Sequence, residues 1–185
     1  SPQAHALRLR WGVMFQHGGL FSALNVRENI GLPLREHSRL DRALVDRIAE
    51  WKLSLTGLPP DAGLKQPGEF SGGMLKRAEL ARALVVKPEI LYMDEPFSAL
   101  DALLHLRMRN ELLRILEQER HTVVLITHDV EEAIHVANRV LVLSPRPSTI
   151  KASFDVPWEH PRKLSSPPVQ ELRAAILREL GVEQV

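Results

Sequence analysis

The hydrophobic residues of this chain fall into two kinds of pattern, helical spacing and short continuous runs. Apolar positions recur at helical spacing over 41–55, where Asp41 is the expected cap, and over 71–86, which predicts two helices. Asn25 is a plausible N-cap for a short helix that follows it. Three further helices are predicted over 102–119, 130–137 and 169–180, the first with an apolar stripe of Leu103, Leu106, Leu112, Leu113 and Leu116.

Short apolar runs between the helices predict β-strands. The runs 90–93, 122–127 and 139–143 are typical of strands that are buried on both faces of a parallel sheet. Weaker strand patterns cover 7–15, interrupted at Gly12, and 150–156. Strands that alternate with helices indicate an α/β fold with a mainly parallel sheet, in which ligands bind beyond the carboxyl ends of the strands. Function is therefore expected just after Met93 and just after Thr127.

Composition narrows the functional classes. The 185 residues are 44% hydrophobic, which is enough for one domain with a core. A formal net charge of +1 lacks the basic excess of a dedicated nucleic-acid binder. The sequence contains no cysteine, which excludes disulfides and thiolate metal sites. No run approaches the ~18 apolar residues of a membrane helix and no secretory signal opens the chain, so we expect a cytoplasmic protein.

Acidic residues follow the apolar run that ends at Met93. Asp94 could hold Mg²⁺, because magnesium binds few carboxylates together with phosphate oxygens. Glu95 is expected to point the other way and to address a different atom, such as an attacking water. The simpler alternative is that this pair only caps the next helix. His128 follows the run 122–127 and could donate to a phosphate oxygen, although a lone histidine there is more often a surface residue.

Small residues open the helix predicted after Phe70. Ser71, Gly72 and Gly73 expose backbone N–H groups and a hydroxyl, which suits an anion at a helix N-terminus. An ordinary N-cap with glycines for the turn explains the same residues. Gln16 ends the first strand pattern and precedes a glycine-containing loop, and by itself it carries no functional meaning.

Taken in order, these motifs resemble the ATP-binding cassette (ABC) family. The resemblance runs from Leu9 to about Leu143 and rests on five elements: Phe15–Gln16; Phe70–Met74 with Arg77 and Ala81–Leu84; Ile90–Pro96; Ser98–Asp101; and Thr127–Asp129. It implies a P-loop NTPase-like α/β fold, with helices on both faces of a mainly parallel sheet, plus a helical subdomain. One cassette domain would span 1–185, with 1–16 and 87–156 in the RecA-like core, 17–86 in the helical subdomain and 157–185 as a C-terminal extension.

The resemblance also assigns roles around the cassette's own nucleotide. It implies that Gln16 senses Mg²⁺ and the γ-phosphate, that Asp94 binds Mg²⁺ and that Glu95 is the general base that polarises water. His128 would contact the γ-phosphate as the switch histidine. The implied ligands are ATP and Mg²⁺, in a reaction that depends on positioning and charge neutralisation.

Other implied roles concern partners. Ser71, Gly72 and Gly73 would bind the γ-phosphate held by a second cassette of a head-to-tail dimer, and Asp101 would lie at the dimer seam. The protein would power a bacterial transporter from the cytoplasmic face of the inner membrane, touching the membrane through a transmembrane permease subunit and binding no nucleic acid. Residues 20–37 resemble Mla-type lipid and toluene-tolerance cassettes, whereas 143–147 and the tail resemble nitrate, sulfonate and taurine importers.

One family motif is missing from the sequence. The pattern G-x-x-x-x-G-K-[ST], which holds the ATP phosphates, occurs nowhere in these residues. We interpret Ser1 as a cut end, and we expect the P-loop strand and helix to be missing too, which should leave apolar sheet surface exposed. The chain alone is then expected to be inactive. The alternatives are a non-enzymatic truncated cassette and a soluble ABC protein without a membrane partner.

Overall fold

The fold is given by a computed structural model that describes residues 10–16, 19–98, 100–119 and 121–182. The chain divides into two compact units, 1–126 and 127–185. Each unit is described by itself below. The part of the predicted first strand that precedes Arg10 lies outside the described residues.

A three-stranded parallel sheet organises the first unit. Its strands are β1 (Trp11–Met14), β2 (Ile90–Asp94) and β3 (Thr122–Ile126), in that order across the sheet. The register pairs Met14 with Met93 and Met93 with Leu125. All three strands therefore end at the same edge of the sheet, as the sequence predicted.

Four helices of the first unit agree with the sequence pattern. They are α1 (Val26–His37), α2 (Arg42–Leu55), α3 (Gly72–Leu84) and α4 (Ala102–Gln118), and two short 3₁₀ helices, Pro60–Leu64 and Pro67–Glu69, precede α3. Asn25 caps α1 through a reciprocal capping box with Glu28. Asp41 caps α2 by accepting a 2.9 Å hydrogen bond from the Leu44 N–H. Both predicted N-caps are confirmed.

An apolar core holds α1, α2 and α3 together. It contains fully buried aliphatic side chains from each helix, including Ile30, Leu53 and Ala81. Phe70 and Leu58 from the connecting segments complete it. Burial of a large aliphatic side chain stabilises a fold by about 1.5–3 kcal/mol, so this cluster fixes the position of α3 against α1 and α2.

Gly12 lies inside β1 and does not interrupt it. A Cβ atom at this position would lie 2.4 Å from the main-chain oxygen of Ala83 in α3. The prediction of a break at Gly12 was therefore wrong. The glycine is needed because strand and helix approach each other closely there.

One face of the parallel sheet is exposed. The face that bears Met14, Leu91 and Met93 is buried, whereas Val124 and Ile126 on the opposite face are 41% and 57% exposed. The prediction that 122–127 forms a strand buried on both faces was wrong for this part of the chain. The exposed apolar surface itself agrees with the expectation from the sequence.

The predicted stripe of α4 is only partly correct. Leu112 and Leu113 are buried, but Leu103 and Leu106 are 59% and 47% exposed. Met108 and Ile115 are buried instead. Helical spacing alone could not show which leucines of this leucine-rich helix face the core.

The second unit is built on an antiparallel pair. Strands β4 (Arg139–Leu143) and β5 (Ile150–Asp155) pair with each other, and helices α5 (Val130–Val136) and α6 (Pro167–Glu179) pack with them. The run 139–143 was predicted as a strand of the parallel sheet, which is wrong within the described residues. Its short connection to β5 makes an antiparallel hairpin.

A buried arginine links the tail of the second unit to α5. Arg162 is 6% exposed, and it donates to main-chain carbonyls that include those of Ile134 (2.8 Å), Ala137 (2.7 Å) and Trp158 (2.7 Å). Burial lowers the pKa of Arg162. Two of these carbonyls belong to the C-terminal end of α5, where the helix dipole favours a cation.

A buried ion pair connects α2 to the end of α4. The Lys52 side chain is 1% exposed, and its Nζ lies 2.5 Å from Glu119 Oε1. The other carboxylate oxygen of Glu119 lies 3.2 Å from His121 Nε2. Burial opposes ionisation of Glu119, but the hydrogen bonds from Lys52 and His121 outweigh it and lower the pKa of Glu119.

In the described part of the chain, no helix combines the length and the apolar character that a membrane crossing requires.

We expect Gly12→Ala to destabilise the protein by about 1–3 kcal/mol, because strand β1 or helix α3 must shift to admit a methyl group. Urea denaturation measures the change in the free energy of unfolding. Gly68→Ala is the matched control, because no described atom lies within 4 Å of a Cβ there. Equal effects of the two substitutions would contradict the close approach at Gly12.

We expect Glu119→Gln to cost about 1–3 kcal/mol at pH 7, because Lys52 then remains buried without its counter-ion. The wild-type carboxylate has a lowered pKa, so its stabilising effect is complete above the usual value of 4.5. This effect is lost as the pH falls through the lowered pKa. The difference between the two proteins should therefore shrink in acid, as measured by urea midpoints at pH 7 and pH 4. Glu117→Gln, at an exposed position of α4, should differ little from wild type at either pH.

Candidate functional site

The candidate site begins where β2 ends. Asp94 is the last paired residue of β2, opposite Ile126, and it is exposed. Glu95 leaves the strand with a φ of 44°, and its N–H donates a 2.8 Å hydrogen bond to the Ile126 carbonyl. A non-glycine residue at positive φ is strained, and such residues cluster at functional sites.

The turn after Glu95 holds that backbone in place. The Glu95 carbonyl accepts hydrogen bonds from Ser98 N (3.2 Å) and Ser98 Oγ (2.9 Å). Pro96 and Phe97 within the turn are buried. The surrounding structure thus fixes the position from which the Glu95 carboxylate extends.

Gln16 meets Glu95 directly. The Gln16 Nε2 atom donates a 2.6 Å hydrogen bond to Glu95 Oε2. The register explains the contact, because Gln16 lies two residues beyond Met14 and Glu95 lies two residues beyond its partner Met93. Both side chains are half-buried. The structure therefore brings together Gln16 and Glu95, with Asp94 adjacent.

Main-chain groups of the loop after β1 are held by α3. Lys76 Nζ donates to the carbonyls of Gln16 (2.8 Å) and Phe15 (3.2 Å). Farther along the same helix, Arg82 donates to the carbonyl of Gly19. Burial lowers the pKa of Arg82, and the nearby Glu79 carboxylate opposes that shift.

The start of α3 presents Ser71, Gly72 and Gly73. Ser71 is the N-cap, and its Oγ accepts a 3.4 Å hydrogen bond from Met74 N. Ser71 and Gly72 are exposed, and the first turn of α3 carries no acidic residue. The first N–H groups of a helix have no intrahelical acceptor, so this end can bind an anion.

The start of α4 lies beside the start of α3. A Cβ at Gly73 would lie 2.5 Å from a methyl carbon of Leu104, and one at Gly72 would lie 3.8 Å from the Leu100 side chain. Asp101 caps α4 by accepting from Leu104 N at 3.0 Å. Asp101 and the Ser71–Gly73 group are thus neighbours. The ordinary capping interpretation holds for both Asp101 and Ser71, and it does not prevent a second role.

His128 belongs to the second unit and is described within it. It is exposed and precedes Asp129, the N-cap of α5, whose Oδ1 accepts from Glu131 N at 2.8 Å. Thr127 Oγ1 donates to Glu132 Oε2 at 2.5 Å and accepts from Asp129 N at 3.0 Å. A well-bonded turn therefore presents His128 to solvent.

Comparison with known protein families identifies the family of this chain. The ABC transporter family model matches residues 1–98, more than half of the chain. The chain belongs to the ABC transporter family. Members of this family bind ATP and hydrolyse it, and the resemblance that the motifs indicated is confirmed.

Curated ABC proteins resemble most of the chain. The aliphatic sulfonates import ATP-binding protein SsuB 1 of Paracoccus denitrificans (strain Pd 1222) is 42% identical over 92% of this chain and 67% of that protein. An ATP-binding protein of Brucella abortus biovar 1 (strain 9-941) is 45% identical over 82% of this chain and 57% of that protein. The chain therefore spans about six-tenths to two-thirds of the length of these relatives.

A solved ABC structure confirms the predicted fold class. A dimeric ATP-binding cassette in a post-hydrolysis state, bound to ADP and Pi, matches with a TM-score of 0.71 and 25% identity. The match covers 86% of this chain and 69% of that chain. The P-loop NTPase-like α/β fold is thus shown, while the roles of individual residues stay predictions.

The polar groups of this ABC chain fit a small hard cation. The amide nitrogen of Gln16 donates to Glu95, its amide oxygen is a possible metal ligand, and Asp94 offers an exposed carboxylate. Oxygen donors of this kind suit Mg²⁺. Gln16 and Asp94 are therefore the residues that could hold the metal.

Sequence reasoning missed Lys76 and Glu79 in this ABC chain. A usable signal was present, because Lys76, Glu79 and Arg82 recur at intervals of three along a helix whose other positions, apart from Arg77, are small or apolar. Charged residues spaced in this way share one face of a helix. A charged face on a buried helix requires polar partners, and here the loop carbonyls supply them.

Proposed function

We propose that this chain is part of the ATP-hydrolysing subunit that powers an ABC transporter. The observation that carries the proposal is the 2.6 Å hydrogen bond between Gln16 and Glu95, next to Asp94, where adjacent parallel strands end. Two carboxylates and an amide at that edge suit the binding of a metal–phosphate group and the activation of water.

Each residue of this edge has a distinct task in the proposed reaction. Asp94 and the Gln16 amide oxygen hold Mg²⁺, which neutralises phosphate charge when it is bound. Glu95 accepts the proton of the attacking water and acts as general base. Because Gln16 donates to Glu95 Oε2, it fixes the orientation of the carboxylate that acts as base.

The remaining motif residues act across a dimer of cassettes in this proposal. Ser71, Gly72 and Gly73 offer a helix N-terminus to the γ-phosphate bound by a second cassette, and Asp101 stands at the seam. The exposure of Ser71 and Gly72 and the neighbouring start of α4 support this role. His128 contacts the γ-phosphate of the chain's own nucleotide, which its exposed position at a helix start supports.

The proposed partner is a transmembrane permease, which this chain would contact at the cytoplasmic face of the inner membrane. The sulfonate-import name of the Paracoccus relative supports an importer of small anions. Residues 20–37 resemble Mla-type lipid cassettes, so a lipid is the alternative to a small anion as the transported substrate. Phe21 in this stretch is 56% exposed, which suits a surface that docks another subunit.

A second candidate function is a cassette that assembles or regulates without hydrolysing ATP. It is favoured by one observation, that G-x-x-x-x-G-K-[ST] does not occur in the 185 residues. A soluble ABC protein without a permease is a further alternative. Co-purification with a membrane subunit separates that alternative from the transporter.

The polypeptide of 185 residues, expressed by itself, should bind ATP weakly and show no magnesium-dependent hydrolysis, because it lacks a phosphate cradle. Calorimetry with ATP and phosphate release measure both properties. Robust turnover by this polypeptide would show that other groups can replace the cradle.

In the protein at its full encoded length, Glu95→Gln should lower kcat by at least about 100-fold, because the amide cannot accept the proton of water. Nucleotide binding and ATP-driven dimerisation should persist, since the amide oxygen can still accept from Gln16. Steady-state phosphate release and size-exclusion chromatography with ATP measure the two effects. Dimerisation in this test also addresses the proposed head-to-tail partner.

Glu89→Gln is the control for that substitution. Glu89 directly precedes β2 but pairs with Arg10 at the surface, where its side chain is 60% exposed. Its removal should leave kcat near the wild-type value. Undiminished hydrolysis in Glu95→Gln would remove Glu95 from the role of general base, and absent hydrolysis in the wild-type protein would favour the non-enzymatic alternative.

A further inference from the structure

Lys76 has an environment that surface lysines do not have. The residue is 8% exposed, and its Nζ lies 2.8 Å from the Gln16 carbonyl, 3.2 Å from the Phe15 carbonyl and 3.1 Å from Glu79 Oε2. An ammonium group has three protons to donate. Lys76 therefore has one acceptor for each proton, and two of the three acceptors are main-chain atoms of the loop after β1.

Glu79 makes this burial of Lys76 possible. It is itself 4% exposed and stands one turn further along α3, so the two charges compensate each other inside the protein. Without Glu79, a buried ammonium held only by carbonyls would lack a counter-charge. With its charge compensated by Glu79, the buried Lys76 ammonium can donate its other two hydrogen bonds to the loop carbonyls.

The same face of α3 reaches the far side of the loop. Arg82 lies six residues beyond Lys76 and donates to the carbonyl of Gly19. Lys76, Glu79 and Arg82 form a charged row at intervals of three residues, which we name the α3 charge row. It contacts the described loop residues on both sides, Phe15 and Gln16 on one side and Gly19 on the other.

Gln16 is consequently held twice. Its carbonyl bonds Lys76 of α3, and its side chain bonds the Glu95 carboxylate at 2.6 Å. The first turn of α3 carries Ser71, Gly72 and Gly73. One residue therefore connects the helix that presents this anion-binding turn to the carboxylate that leaves β2.

We propose that Lys76 is a positioning residue that couples α3 to the Gln16–Glu95 pair. Lys76 on α3 holds the main chain of Gln16, and the Gln16 side chain in turn holds the Glu95 carboxylate, so α3 sets the position of the base. The inference rests on the proposed function, in which Glu95 is the general base and the start of α3 binds the γ-phosphate of ATP held by the partner cassette. It adds a connection within one chain between α3, whose start would bind the partner's nucleotide, and the Gln16–Glu95 pair, which would act on the chain's own nucleotide.

A purely structural role for the ion pair would give different results. Lys76–Glu79 could stabilise α3 and contribute nothing to the geometry of Gln16. In that case any loss of turnover would follow the loss of folded protein. The test must therefore measure turnover per folded molecule and loop order as well as stability.

The experiment uses the full-length protein with Lys76→Met and the conservative Lys76→Arg. Methionine keeps the length of the side chain but donates no hydrogen bond, whereas arginine can still donate to both loop carbonyls. A double variant, Lys76→Met with Glu79→Gln, removes both charges together and leaves no carboxylate buried without a partner. Lys52→Met is the matched control, because it removes another buried lysine whose amine bonds Glu119 rather than the loop.

We expect Lys76→Met to lower kcat per folded molecule by about tenfold, because Gln16 no longer holds the base in place. The double variant should lose as much kcat as Lys76→Met does. Lys76→Arg should retain at least half of the wild-type kcat. Lys52→Met should lose stability and keep kcat. A wild-type kcat in the two methionine variants at residue 76 would overturn the proposal.

Hydrogen exchange supplies a readout that does not depend on hydrolysis. In Lys76→Met, peptides that contain Gln16 and Gly19 should exchange about tenfold faster than in wild type, and in Lys52→Met they should not. Unchanged exchange there would overturn the tether itself. If the wild-type protein hydrolyses no ATP, the proposed function fails, and the exchange result still decides whether Lys76 orders the loop.

Discussion

The parallel register of β1 and β2 is the constraint on which the candidate site depends. Met14 stands beside Met93, and Gln16 and Glu95 each lie two residues beyond this last pair. Gln16 and Glu95, 79 residues apart in sequence, therefore meet with no further adjustment. A slip of one residue would turn every side chain of β1 to the opposite face, and it would take Gln16 away from the carboxylate.

Close packing enforces this register from one side. Gly12 allows β1 to approach Ala83 of α3, and α3 in turn is fixed by the apolar core that it shares with α1 and α2. The α3 charge row then contacts the loop that leaves β1. Apolar burial supplies the energy of the arrangement, while the buried charges specify where the loop lies.

Much of the fold could be predicted from the sequence because local rules decide it. Asn25 and Asp41 cap helices for reasons that depend only on nearby N–H groups. The fold class and the family followed from motifs in a fixed order. The meeting of Gln16 with Glu95 required the register of two distant strands, which the sequence pattern alone does not state.

The errors also have physical causes. Whether Val124 faces a helix or solvent depends on what covers the sheet, and apolar content does not report that. Gly12 looked like a break because glycine weakens strands, yet the close approach of Ala83 selects it. Lys76 was overlooked because a lysine is usually a surface residue, and its partners are main-chain carbonyls, which every sequence provides.

Main-chain acceptors have a consequence for the tail as well. Arg162 binds the carbonyls at the end of α5, and any amino-acid sequence in that helix offers the same carbonyls. The side chains of α5 can therefore vary during evolution without loosening this attachment. The attachment depends instead on Arg162, whose guanidinium is long enough and has enough donors to reach those acceptors. The attachment of the tail to α5 therefore depends on one side chain and on backbone carbonyls, and not on which side chains those carbonyl-bearing residues carry.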